Sequence, residues 1–170
     1  MESKPMTAKE YFQSLSILHA ALLSGQVMMA VIFYFFFNAD KPPVTGQEAT
    51  GQMELYIIGG LVILGVLASS QLFNTRLQKV KKEESLSAKL AGYRSASILR
   101  YALLEAPSIA AIVVYMLTNN LLLLVFAGMI IILFLIYRPT KDRVVTDLEL
   151  SPAEQAKLDD PNAIVTEISR

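Results

Sequence analysis

The sequence predicts an all-α polytopic membrane protein whose four transmembrane helices form two tandem hairpins, with both termini cytoplasmic. Three observations carry that expectation. Of 170 residues, 54% are hydrophobic, and the excess is gathered into long runs rather than spread along the chain. The connections between runs alternate in charge: 38–54 holds one Lys and 118–120 none, whereas 75–95 and the segment after 137 are rich in Lys and Arg. Finally, residues 12–34 laid over 93–115 without a gap give nine identities in 23 positions, among them Ser14 with Ser95, Ser16 with Ser97 and Tyr34 with Tyr115. A repeat unit of two spans would place both copies in the same orientation, related by an axis along the membrane normal.

Residues 1–16 lack the basic start and small-residue cleavage pattern of a signal peptide, so this cytoplasmic or interfacial segment is expected to be retained, with 8–16 in the headgroup region. Thr7 and Glu10 have capping-box spacing, which starts a helix near residue 8, with Tyr11 and Phe12 as interfacial anchors. The first span covers about 17–37. Paired prolines, two glycines and an acidic excess make 38–54 a loop. The second span, about 55–74, carries Gly65 and Ser69, a small-xxx-small pair that admits a close neighbour.

A basic segment follows, with Arg76, Lys79, Lys81 and Lys82 as topology determinants and a secondary possibility of anionic-lipid contact. The third span, about 96–117, is followed by the three residues of "TNN", which permit only a tight turn before the fourth span, about 121–137. Arg138 marks the return to the cytoplasm. The 138–170 tail is expected to hold one short helix, because Ser151, Pro152 and Glu154 have the order of an N-cap, a first-turn proline and a capping-box acid. Tyr34, Tyr56 and Tyr115 fall at the outer interface, and Tyr11, Tyr93 and Tyr137 at the inner one.

The third span contains the chain's most informative polar group. Glu105 lies in an apolar run, where an ionisable side chain costs about 2.5–3.5 kcal/mol on insertion scales and so marks a partner or a function. Pro107 frees the carbonyl of Leu103 nearby. On a 3.6-residue period Tyr101 and Ser108 share Glu105's face and are its nearest candidate partners, whereas Arg100, near the start of the run, is expected to snorkel. Three readings stay open for Glu105: a neutral group that links helices, a proton or cation carrier, and a contact to another subunit. Small residues at Ala21 and Gly25 correspond in the repeat to Ala102 and Ala106, with Ala110 one turn on, and are expected to seat spans one and three together. His19 reads as a packed or interfacial histidine and Gln26 as an interhelical hydrogen-bond donor.

The segment "ALLEAPSIAAIVVY", residues 102–115, resembles the carboxylate helix of rotary ATPase proton-ring subunits, in which a carboxyl after small and aliphatic positions takes up the ion. The resemblance implies that Glu105 would be the ion carrier.

With no cysteine and one histidine, the sequence offers no thiolate or His-based metal cluster, no cysteine nucleophile and no hydrolytic triad, and neither cofactor nor metal is expected. Zero net charge leaves no footprint for nucleic acid. The expected function is therefore a non-catalytic protein of a bacterial-type inner membrane, acting as an oligomeric or accessory subunit whose partners are the bilayer and other membrane subunits or itself. The alternative is proton or cation translocation through Glu105.

Overall fold

The computed structural model describes residues 3–37 and 52–169, so most of the expected 38–54 loop lies outside the described residues. Helices α1 (Ala8–Ile32), α2 (Gln52–Val80), α3 (Leu86–Thr118) and α4 (Leu121–Ile136) follow the four apolar runs, and a π-helical turn over Phe33–Phe37 continues α1. Three helices, Ala8–Phe36, Gln52–Val80 and Leu86–Thr118, are long and apolar enough to cross a membrane. The 16-residue α4 passes the same test only together with the helix that follows it.

The chain divides into two compact units, one of Ala20–Ser70 with Tyr101–Tyr137 and the other of Met1–His19, Gln71–Arg100 and Arg138–Arg170. In the first, the turn after α3 is tight: Asn119 adopts a left-handed φ of 55°, and Asn120 caps α4 by accepting a hydrogen bond from Leu122 N at 3.1 Å. α3 and α4 then run back along each other. Tyr101, well before the turn, stacks on Phe134 at 5.6 Å between centroids and donates its hydroxyl to the carbonyl of Tyr137 at 3.3 Å. Leu104, Ala111, Ile112 and Tyr115 from α3 and Leu123, Ala127 and Ile130 from α4 form the middle of this core, joined by Ile58 and Val62 of α2.

On its other edge α3 meets α2 at Gly65. A Cβ built there would stand 2.8 Å from Pro107 Cγ and 2.9 Å from the Leu103 carbonyl oxygen. That carbonyl is the one Pro107 deprives of its helical donor, and the missing side chain lets a Cα–H of Gly65 point toward it.

The second unit adds two features to the expected fold. The tail holds a helix that was not foreseen, α5 (Lys141–Leu148), before the expected one, α6 (Pro152–Asp159). Thr140 caps α5 by accepting from Arg143 N, and Val144 and Leu148, one turn apart, are its buried stripe. The fold is mostly helical, as the all-α class has it, with one addition: β1 (Ser3–Thr7) pairs antiparallel with β2 (Ile164–Ser169), with an irregularity between Met6 and Thr7. The β-branched residues Ile164, Val165 and Thr166 favour the extended state, and Pro5 is tolerated because a two-stranded sheet has only edges. α6 has the capping box in full, with Ser151 and Glu154 bonded reciprocally.

Tyr11 and Tyr93, expected at a membrane interface, turn into this unit's core. Tyr11 is 0% exposed and donates to the Leu90 carbonyl at 2.8 Å, while Tyr93 donates to Asp147 Oδ2 at 2.9 Å and meets Phe73 edge-on. A phenol that finds a polar partner for its hydroxyl is stable inside protein, which removes the need for a wet interface. Around them pack Leu15 of α1, Leu77 and Val80 of α2, Leu90 of α3, Leu158 of α6 and Val165 of β2. The basic 75–95 connection is thus largely two helix ends, with α2 running on to Val80 and α3 starting at Leu86.

Candidate functional site

The α3 helix sorts its side chains into two arcs. Tyr101, Leu104, Pro107, Ser108, Ala111, Ile112 and Tyr115 are buried, and Ala102, Ala106, Ile109, Val113 and Leu117 are exposed. At about 100° per residue Glu105 falls on the border, next to the buried Tyr101 and Ile112 on one side and the exposed Ile109 and Ala102 on the other. Accordingly it is half-buried.

Of the expected partners, neither reaches it. The Tyr101 hydroxyl is directed across the hairpin to the Tyr137 carbonyl. Ser108 is fully buried, and its Oγ has no hydrogen-bond partner among the described residues. No hydrogen bond or ion pair engages the Glu105 carboxyl among the described residues. Arg100 belongs to the other unit, where its guanidinium carbon lies 3.9 Å from the Phe73 ring centroid, a cation–π contact. Sequence spacing could show that Arg100 and Glu105 do not align; it could not show that a phenylalanine on α2 would take the guanidinium.

The small residues divide. Gly65 is a site of close helix approach, and Ser69, fully buried, bonds back to the Val66 carbonyl at 2.8 Å. Ala110 is half-buried. By contrast Ala21, Gly25, Ala102 and Ala106 are exposed, and among the described residues nothing lies within 4 Å of where a Gly25 Cβ would sit, so the described residues leave open the stripe expected to join spans one and three. Gln26 is fully buried; its Nε2 donates to the Leu22 carbonyl at 3.4 Å, within its own helix, and its Oε1 is unpaired among the described residues.

The basic residues divide as well. Lys81 pairs with Glu149 at 2.7 Å, whereas Arg76, Lys79, Lys82 and Arg138 are exposed, and Arg76 donates to the neutral Ser95 hydroxyl at 3.3 Å. An ion pair not foreseen from the sequence joins Lys89 to Glu154 at 2.8 Å, with side-chain exposures of 13% and 18%. The other Glu154 oxygen accepts from the Ser151 backbone and hydroxyl at 2.8 and 2.9 Å. The hydrogen bond from Lys89 is the main cause that holds the Glu154 carboxyl below the usual carboxylate range, against the opposing effect of burial and with help from Ser151. The legible half of this site was the capping box; the cationic half lies 65 residues away and had no local signal. Lys141 likewise pairs with Asp159.

Comparison of the chain with protein-family models, curated proteins and solved structures returns no match.

Proposed function

We propose that this chain is an integral protein of a bacterial-type inner membrane, with spans at about 17–37, 55–74, 96–117 and 121–137 and both termini cytoplasmic, working as a non-catalytic oligomeric or accessory subunit. The topology rests on the Lys and Arg bias of 75–95 and of the segment after 137. The role rests on Glu105. A half-buried carboxyl without a hydrogen-bond partner among the described residues, bordered by the exposed small residues Ala102 and Ala106, suits a helix of another subunit that approaches closely and supplies a hydrogen-bonding group. Meeting that partner would offset the ~2.5–3.5 kcal/mol of placing an ionisable group in hydrocarbon.

The same unpartnered carboxyl favours one second reading, that Glu105 carries a proton or cation, as its likeness to ring-subunit helices implies. Substitution separates the two. Glu105→Gln keeps shape and hydrogen-bonding capacity but does not titrate, so it should preserve the particle size and subunit composition of the protein purified from native membranes. Glu105→Ala should release the partner or shift the oligomer toward monomer. A monomeric parent that drives pH-dependent flux in vesicles, lost in a folded Gln variant, would replace the subunit reading with the carrier reading. A monomer without flux would overturn both.

A further inference from the structure

The tail acids sort the basic residues at the end of α2. Lys81 is turned toward Glu149 and is only 20% exposed. Arg76 and Lys79, with Lys82 just past the helix end, are exposed and have no acidic partner within 4 Å among the described residues. Arg76 and Lys79 lie three residues apart and, at about 100° per residue, project to one side of α2, the side on which Leu72 stands 43% exposed. Lys82 is exposed in the turn just past the end of that helix. The result is an apolar foot and three exposed cations that no acid neutralises among the described residues. The acids nearest in sequence, Glu83 and Glu84, are exposed beyond Lys82.

We infer that this ridge of Leu72, Arg76, Lys79 and Lys82 holds the phosphate of an anionic phospholipid. A phosphodiester presents one delocalised negative charge above acyl chains, and the ridge presents the complement in the same order: a guanidinium able to bond two oxygens, two ammonium groups, and an exposed leucine at the apolar end. The ordering of charge next to exposed apolar surface favours a lipid over a free anion, which would gain nothing from Leu72. Lys81 is excluded because its charge is spent on Glu149. The inference rests on the membrane reading above.

The full-length protein in neutral detergent, titrated with phosphatidylglycerol and followed by native mass spectrometry, tests it. Each cation near an anionic lipid surface contributes a factor of about five in affinity. The variant Arg76→Gln/Lys79→Gln/Lys82→Gln should therefore bind phosphatidylglycerol about 100-fold more weakly, while Lys81→Gln changes binding less than two-fold. Phosphatidylcholine should bind equally weakly to all, and inorganic phosphate should not compete at millimolar concentration. Unchanged phosphatidylglycerol affinity in the triple variant, or equal losses in Lys81→Gln, overturns the assignment, and competition by inorganic phosphate reassigns the ridge to a free anion. Circular dichroism identical to the parent guards against misfolding. Flotation of the parent with phosphatidylcholine vesicles after alkaline carbonate treatment tests the membrane reading separately: its failure sinks that reading, whereas flotation with no lipid selectivity sinks only this one.

Discussion

Replacing Gly65 with alanine puts the helix crossing of the apolar unit to a quantitative test. The new methyl carbon would lie 2.8 Å from Pro107 Cγ and 2.9 Å from the Leu103 carbonyl oxygen, both well inside the 3.4–4 Å of ordinary contact. Neither obstacle is the end of a flexible side chain: one belongs to a closed ring and the other to backbone, so α2 and α3 must part by about half an ångström. Overpacking of this kind costs about 1–3 kcal/mol. Alanine recovers ~1 kcal/mol of helix propensity over glycine, so the net effect is a loss of about 1 kcal/mol and at most about 2 kcal/mol. For a chain of this size that lowers the melting temperature by roughly 2–4 °C, and by at most about 8 °C. Gly25→Ala is the matched control, because nothing lies within 4 Å of its added methyl, and it should be neutral or stabilising by up to ~1 kcal/mol. Thermal melts of the purified protein in one detergent read both. Pro107→Ala removes the ring carbon and restores a donor to Leu103, so Gly65→Ala should cost less in that background, a positive coupling in the double-mutant cycle. If Gly65→Ala melts with the parent, or Gly25→Ala falls as far, the crossing is not where the close approach lies.

Other consequences are as direct. A Cβ on Gly92 would stand 2.5 Å from Val80 Cγ2, so Gly92→Ala should destabilise the protein by about 1–3 kcal/mol, and adding Val80→Ala should recover part of the loss; denaturant melts showing simple additivity would refute the contact. Because the folded-state Glu154 carboxyl is held below its ordinary range, its contribution is complete above the unfolded value of 4.5 and is lost as pH falls through the lower folded value. Stability should thus be flat from pH 8 to about 5 in this respect and fall below it, with a shallower fall in Glu154→Gln; an equal fall in both variants would remove Glu154 from the acid response. For topology, a cysteine at Ser85 should react only with thiol reagents that enter the cytoplasm and one at Thr45 with impermeant reagent outside, and labelling of Ser85 from outside would reverse the proposed orientation.

Wherever a residue's role is set by its chain neighbours, the sequence was enough. Four apolar runs became four helices because length and hydropathy are local properties, and "TNN" became a tight turn because asparagine tolerates the left-handed φ of 55° that position 119 requires. The capping boxes of Thr7 with Glu10 and Ser151 with Glu154 close over three residues. Glu105 was recognisable as the polar anomaly of its run, and its place at the border of two arcs follows from helical period and the burial of its neighbours.

Only the tertiary structure decided what lies opposite each side chain. The pattern of Tyr11 and Tyr93 suits a membrane interface and a protein core equally, and it is the Leu90 carbonyl and Asp147 that draw the two phenols inward. Lys79, Lys81 and Lys82 are alike in sequence, yet Glu149, 68 residues on, takes one and leaves the others to solvent. The two strands are individually too short and weak to be read, since each is stable only through the ladder bonds the other supplies. Gly25 and Gly65 are both glycines in apolar helices; one faces open space and the other a freed carbonyl, because the direction of a helix face says nothing about which helix will meet it.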